Sequence, residues 1–177
     1  AAGFVAFFIE APLFIHLPLT IIAGMLGGLV WGGIVGLLKA RTGAHEVILT
    51  IMLNFIALYF VSWLLSTPGL LMRPGGTQPI SQATPPSAQF PKLFDAPLTV
   101  NWGFIVAIGA TVFVWWLIER SALGFRMRAV GTNPFAARAA GVNVERVLIY
   151  AMAFAGALAG LAGVNQMAGT ITSGFGS

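Results

Sequence analysis

An all-α, polytopic transmembrane helix bundle, with about four complete spans and a partial one at its start, is the fold class that this sequence predicts. Three observations predict it. Hydrophobic residues fill 58% of the 177 positions and charged ones only 8%, and the mean hydropathy is +0.90. The apolar residues fall in unbroken runs, each long enough as a helix to cross a hydrocarbon core of about 30 Å. Those runs also lack the in-and-out alternation of a barrel strand, which faces lipid on one side and a lumen on the other. A soluble chain would need far more polar surface, because apolar area left in water costs about 25 cal/mol per Å².

The elements follow in order. Residues 1–9 are apolar, with no basic region before them and no cleavage site after them, so they do not read as a signal peptide. They are too short to cross a bilayer and read as the end of a longer helix. Together with the abrupt final "TSGFGS", this makes the chain read as a fragment of a larger membrane protein. Pro18 to Leu38 is the first full span, all apolar or small. Val47 to Ser66 is the second, with Asn54 near its middle. Asn101 to Ile118 is the third, carrying Trp115 and Trp116 near its end, where an indole keeps its N–H at the membrane interface. Val147 to Val164 is the fourth.

Four loops separate these spans and alternate between the membrane faces. Residues 10–17 hold no lysine or arginine, 39–46 hold Lys39 and Arg41, 67–100 hold Arg73 and Lys92, and 119–146 hold five arginines. Alternate loops therefore split the basic residues seven to two, which places 39–46 and 119–146 on the cytoplasmic side. The 67–100 loop is then extracytoplasmic. It holds seven of the ten prolines and reads as irregular chain, either a plain connector or a docking surface.

The net charge of +4 and the isoelectric point of about 10.4 do not point to nucleic acid, because the basic residues are scattered between apolar spans and form no continuous stripe. Without cysteine there is no disulfide framework or thiolate nucleophile. His45-Glu46 has no second histidine four residues on, so no metal site is assigned, and Glu46 fits the first turn of a helix instead. No Gly-x-x-x-x-Gly-Lys-Ser/Thr loop is present, no cofactor is implied, and any nucleotide chemistry must belong to another polypeptide. A secondary transporter would place charged residues within its spans, and an intramembrane enzyme would need converging nucleophiles or metal ligands. Neither pattern is evident.

The first span carries Gly24, Gly28, Gly32 and Gly36 on one helical face, and the fourth repeats the pattern at Gly156 and Gly160. Small residues at this spacing let helices approach closely, either for static packing or to let one slide along another. Asn54 requires a polar partner in hydrocarbon, from a neighbouring helix or from a solute. Asn165 and Gln166, with Thr170, Thr172 and Ser173, form a polar end after the fourth span, and the same two readings apply. In "RAVGTNPFAARAAGVNVER", residues 128–146, Asn133 suits a helix N-cap, Pro134 the first helical position and Gly141 a left-handed terminus. A helix of about two turns is marginal alone. It must therefore lie on lipid headgroups or dock against another protein.

Two stretches resemble a known family. "SALGFRMRAVGTNPFAARAAGVNVERVLIYAMAFAGALAGLAG" resembles the cytoplasmic loop and following helix of permease subunits of bacterial ABC importers of the branched-chain amino acid, ribose and nucleoside group. "GLLKARTGAHEVILTIMLNFIALYF" is similar to the nucleoside and simple-sugar branch through Gly43, Glu46, Val47, Ile48, Met52, Leu53 and Asn54, with His45 where that branch usually has asparagine. The resemblance implies a larger permease of the bacterial cytoplasmic membrane that pairs with a second permease subunit, identical or different. It also implies an ABC ATPase subunit docked on the inner face and an extracytoplasmic substrate-binding protein on the outer. Carried onto this chain, the ATPase-coupling residues would be Gly131, Asn133, Pro134, Ala137, Arg138 and Gly141. Asn54, Asn165 and Gln166 are candidates for the substrate path. The expected substrate is a nucleoside, then a simple sugar, then a branched-chain amino acid.

Overall fold

The computed structural model describes residues 13–43, 45–67, 90 and 102–170. Among these residues the chain forms six α-helices and a closing π-turn, and four of the helices are long and apolar enough to cross a membrane. The incomplete span expected at residues 1–9 lies outside the described residues. So do Thr172, Ser173 and all of the proline-rich 67–100 segment except Thr67 and Phe90.

Helix α1 (Leu13–Thr42) runs 30 residues, starting before Pro18 and ending beyond Leu38. A proline inside a helix removes one backbone hydrogen bond, and in lipid the chain gains more by keeping the remaining bonds than by unwinding. Close to the proline, Thr20 Oγ1 donates to the His16 carbonyl at 2.8 Å, and both residues are buried. At the other end Lys39 and Arg41 fall in the last turn, where cations complement the helix dipole. Gly43 then stops the helix at φ +63°, with its N–H donating to the Lys39 carbonyl at 3.0 Å. Residues 13–17, expected as loop, are therefore helical.

Helix α2 (Glu46–Ser66) follows directly and stands almost wholly exposed, with Leu65 its one buried hydrophobic residue. Helix α3 (Gly103–Arg120) starts and ends two residues later than the apolar run suggests, with Arg120 in its last turn.

Residues 119–146, expected as a loop holding one short helix after Asn133, contain that helix and are mostly helical besides. Helix α4 (Ala122–Thr132) turns off α3 at Ser121, whose Oγ accepts from the Gly124 N–H at 3.0 Å and donates back to the Leu117 carbonyl. The corner is tight: a Cβ on Gly124 would lie 2.6 Å from Ile118 Cα. Arg128 and Glu119 bridge the same corner at 2.8 Å, an exposed pair that contributes at most about 1 kcal/mol. Helix α5 (Pro134–Ala139) comes next.

Helix α6 (Val144–Asn165) begins three residues before the predicted Val147, because Asn143 caps it, with Oδ1 accepting from the Arg146 N–H at 3.1 Å. The π-turn Gln166–Thr170 continues its axis.

α1 and α6 pack antiparallel and form the spine of the molecule. The contact is backbone to backbone: a Cβ on Gly32 would lie 2.9 Å from Gly156 Cα, and one on Gly36 would lie 2.9 Å from Ile149 Cα. A Cβ on Gly28 would overlap the Gly156 carbonyl oxygen, and one on Gly160 would overlap that of Gly24. Without a hydrophobic effect between helices in lipid, this close approach supplies the packing. Two buried clusters sit at opposite ends of α6. Val144 and Val147 join Val130 of α4 and Ala137 of α5, while Val164 and Ala168 join Phe90, with Leu17, Ile21 and Val106 against them. At about 1.5 Å per residue the ends of α6 lie roughly 30 Å apart, the thickness of a hydrocarbon core.

Candidate functional site

The site is α5 and the two turns that hold it. Asn133 is extended, and its Oδ1 accepts from the N–H groups of Phe135 and Ala136 at 3.0 and 3.1 Å. Pro134 occupies the first helical position, where its missing N–H costs nothing. At the far end the Gly141 N–H donates to the Arg138 carbonyl and the Val142 N–H to the Ala137 carbonyl, each at 3.0 Å. This is a Schellman closure, and it requires the left-handed φ of +82° at Gly141. Val142 and Ala137 both belong to the cluster around Val130, Val144 and Val147, so the closure carries its usual apolar contact.

A six-residue helix is thus fixed by a cap at each end and by one buried anchor. Ala137 is that anchor, so its methyl faces the interior and a partner cannot touch it. Asn133, Pro134, Arg138, Gly141 and Gly131 are exposed, and a Cβ on Gly131 would meet open space. Phe135 is 83% exposed, the most exposed of the large hydrophobic residues described. Sequence reasoning did not place Phe135 among the site residues. Its signal is weak, because a helix this short has too few turns to show which face is buried.

The other predicted residues lie elsewhere. Asn54 is exposed midway along α2. Asn165, at the far end of α6, has its Oδ1 buried without a hydrogen-bond partner. It faces a cavity of about 200 Å³ whose other walls include Phe90, Val106, Ala110 and Leu161. Gln166 starts the π-turn and is exposed. Gly24, Gly28 and Gly32 meet Gly156 and Gly160 across the α1/α6 contact, and Gly36 meets Ile149 and Met152 there, between these two ends.

Comparison with known proteins places the chain. The family described as branched-chain amino acid transport system, permease component, matches residues 1–175. The guanosine ABC transporter permease protein NupP of Bacillus subtilis is 38% identical over 170 residues, covering 96% of this chain and 49% of that protein. The nucleoside ABC transporter permease protein NupB of Lactococcus lactis is 38% identical over 164 residues, covering 89% of this chain and 44% of its own. A glucose ABC transporter permease protein of Haloferax volcanii is 32% identical over 180 residues, covering 96% of this chain and 47% of its own. No solved structure gives a significant match. The chain spans about half the length of the curated relatives it matches. With four helices able to cross a membrane and a match over nearly its whole length, the chain is a multi-pass membrane protein that belongs to the permease-component family of the branched-chain amino acid transport system type.

Proposed function

We propose that this chain is part of the membrane subunit of an ATP-driven importer of the bacterial cytoplasmic membrane, and that α5 is where a separate ATPase subunit docks. The observation that carries the reading is Phe135, a large apolar side chain 83% exposed on a helix otherwise pinned at both ends. An exposed aromatic on a rigid element suits a pocket on another protein, where burying it stabilises the complex by about 1.5–3 kcal/mol. Arg138, also exposed, supplies a charge for steering.

In this reading, closure of the ATPase subunits pushes α5. The Asn133 and Gly141 caps keep α5 from unwinding, and Ala137 passes the displacement to Val144 and Val147 of α6. The glycine contact then carries α1 along with α6. An outer binding protein and a second permease subunit complete the importer. The substrate we infer is a nucleoside, supported by the names of the two relatives at 38% identity, with a simple sugar second.

The test is a cysteine at position 135 in the full-length permease, expressed with its neighbouring transport genes. Crosslinking to a nucleotide-hydrolysing subunit is expected, with nucleoside-loaded binding protein raising hydrolysis. Phe135→Ala should leave the melting temperature nearly unchanged and abolish most uptake. Modification of the cysteine by an impermeant reagent from the outer side would sink the docking assignment.

A further inference from the structure

Beside α5 lies a hollow of about 420 Å³, walled by Leu123 and Arg126 of α4, the turn from Ala140 to Asn143, and Arg146, Val147 and Tyr150 of α6. Its size falls within the range of small-ligand sites, roughly 300–1,000 Å³. Phe135 does not line it, so it lies apart from the exposed aromatic proposed to dock, although the two share the closing turn of α5 at Ala140 and Gly141. We propose that this hollow binds the phosphodiester of an anionic phospholipid of the cytoplasmic leaflet.

The first argument is charge. Two arginines, Arg126 and Arg146, line one hollow, and no acidic residue lines it. Of the nearby acidic residues, Glu119 is held by Arg128 at 2.8 Å, and Glu145 lines an adjoining depression and not this one. Two arginines left together without a counter-charge repel each other, and an anion between them removes that cost and accepts their hydrogen bonds. Asn143 Oδ1 is occupied by the Arg146 N–H and does not compete.

The second argument is direction. Arg146 and Tyr150 lie one turn apart on α6, so they stack on one face along the helix axis. The turn from Gly141 to Asn143 closes the wet end, and the apolar run of α6 starts at Val147, just past Arg146. Moving along α6 from its start, the lining passes from Arg146 to Val147 and, one turn on, to Tyr150, a residue type that favours the membrane interface, with Leu123 of α4 also in the wall. That order matches a lipid, with its phosphate at the surface and its glycerol and acyl chains below. A basic hollow between helices on the cytoplasmic side is the arrangement that holds acidic headgroups. A free phosphate would use the arginines and leave the apolar wall idle.

The proposal rests on membrane placement and is independent of what docks on α5, so either reading can fail alone. The experiment uses the full-length permease, stripped of lipid in detergent and titrated with phosphatidylglycerol or phosphatidylcholine, with binding read by native mass spectrometry. Retention of phosphatidylglycerol over phosphatidylcholine is expected. Arg126→Gln and Arg146→Gln should each weaken it about five-fold, the lysine variants should weaken it less, and Arg120→Gln, outside the hollow, should change nothing. Millimolar inorganic phosphate should not displace the lipid. Wild-type retention in both glutamine variants would overturn the proposal. Displacement by phosphate would assign the arginines to a free anion and overturn it too, as would protection of Arg126 and Arg146 that appears only when an ATPase subunit is added.

Discussion

Gly28 of α1 and Gly156 of α6 face each other so closely that a Cβ on either would overlap the carbonyl oxygen of the other. Neither neighbour is a flexible side chain, so the overlap can be relieved only by moving a helix. Gly28→Ala or Gly156→Ala should therefore part the two rods, at a cost of about 1–3 kcal/mol. Thermal unfolding in detergent checks this. Gly163, on the same helix, has open space at its Cβ, so Gly163→Ala should gain about 0.5–1 kcal/mol through reduced freedom of the unfolded chain. Equal effects at Gly156 and Gly163 would remove the glycine contact as the basis of the spine.

Gly124 is a second position where space decides. Its Cβ would press into the backbone of Leu117 and Ile118, so Gly124→Ala should open the corner between α3 and α4, again costing about 1–3 kcal/mol. Faster proteolytic cleavage near Ser121, with the rest of the chain protected as before, is the expected result.

The caps of α5 make a paired prediction. Asn133→Ala removes the acceptor for two N–H groups and should cost about 1 kcal/mol, while Asn133→Asp should retain most of it. Gly141→Val forces a branched side chain into a left-handed conformation, at a cost of at least about 1–2 kcal/mol. Both destabilising variants should speed amide exchange across residues 135–142 and lower uptake per ATP hydrolysed, without loss of membrane insertion.

Asn165 inverts the usual expectation. Its buried Oδ1 has no partner, and leaving such a group unsatisfied costs about 1–3 kcal/mol. Asn165→Leu, close in volume, should raise the melting temperature. If uptake falls in the same variant, the amide serves the transported solute; if uptake is unchanged, Asn165 has no place in the substrate path.

Much of this architecture is legible in the residues, and the gaps have physical causes. The four spans stand out because lipid demands unbroken apolar runs, and Pro18–Leu38 or Val47–Ser66 admit no other reading. Their ends do not stand out. The first turn of α6 holds Glu145 and Arg146, which hydropathy discounts, although the cap at Asn143 marks the start. Helix α4 is hidden for the same reason, since its arginines make it polar and only Ser121 announces it. The spacing of Gly24 to Gly36 identifies a smooth face but cannot name what meets it. That α6 supplies the opposing surface, and that Ala137 points inward while Phe135 points out, are facts of packing between distant segments.

α6 is gripped by one cluster at Val144 and Val147 and by another at Val164 and Ala168. If the rod between them moves as one piece, thermodynamic reciprocity applies: a ligand that shifts one grip alters affinity at the other by some factor, and a ligand at the second alters the first by that same factor. Signalling along such a strut has no preferred direction, so the order of events in a transport cycle must be set by what is bound at each end and not by the strut.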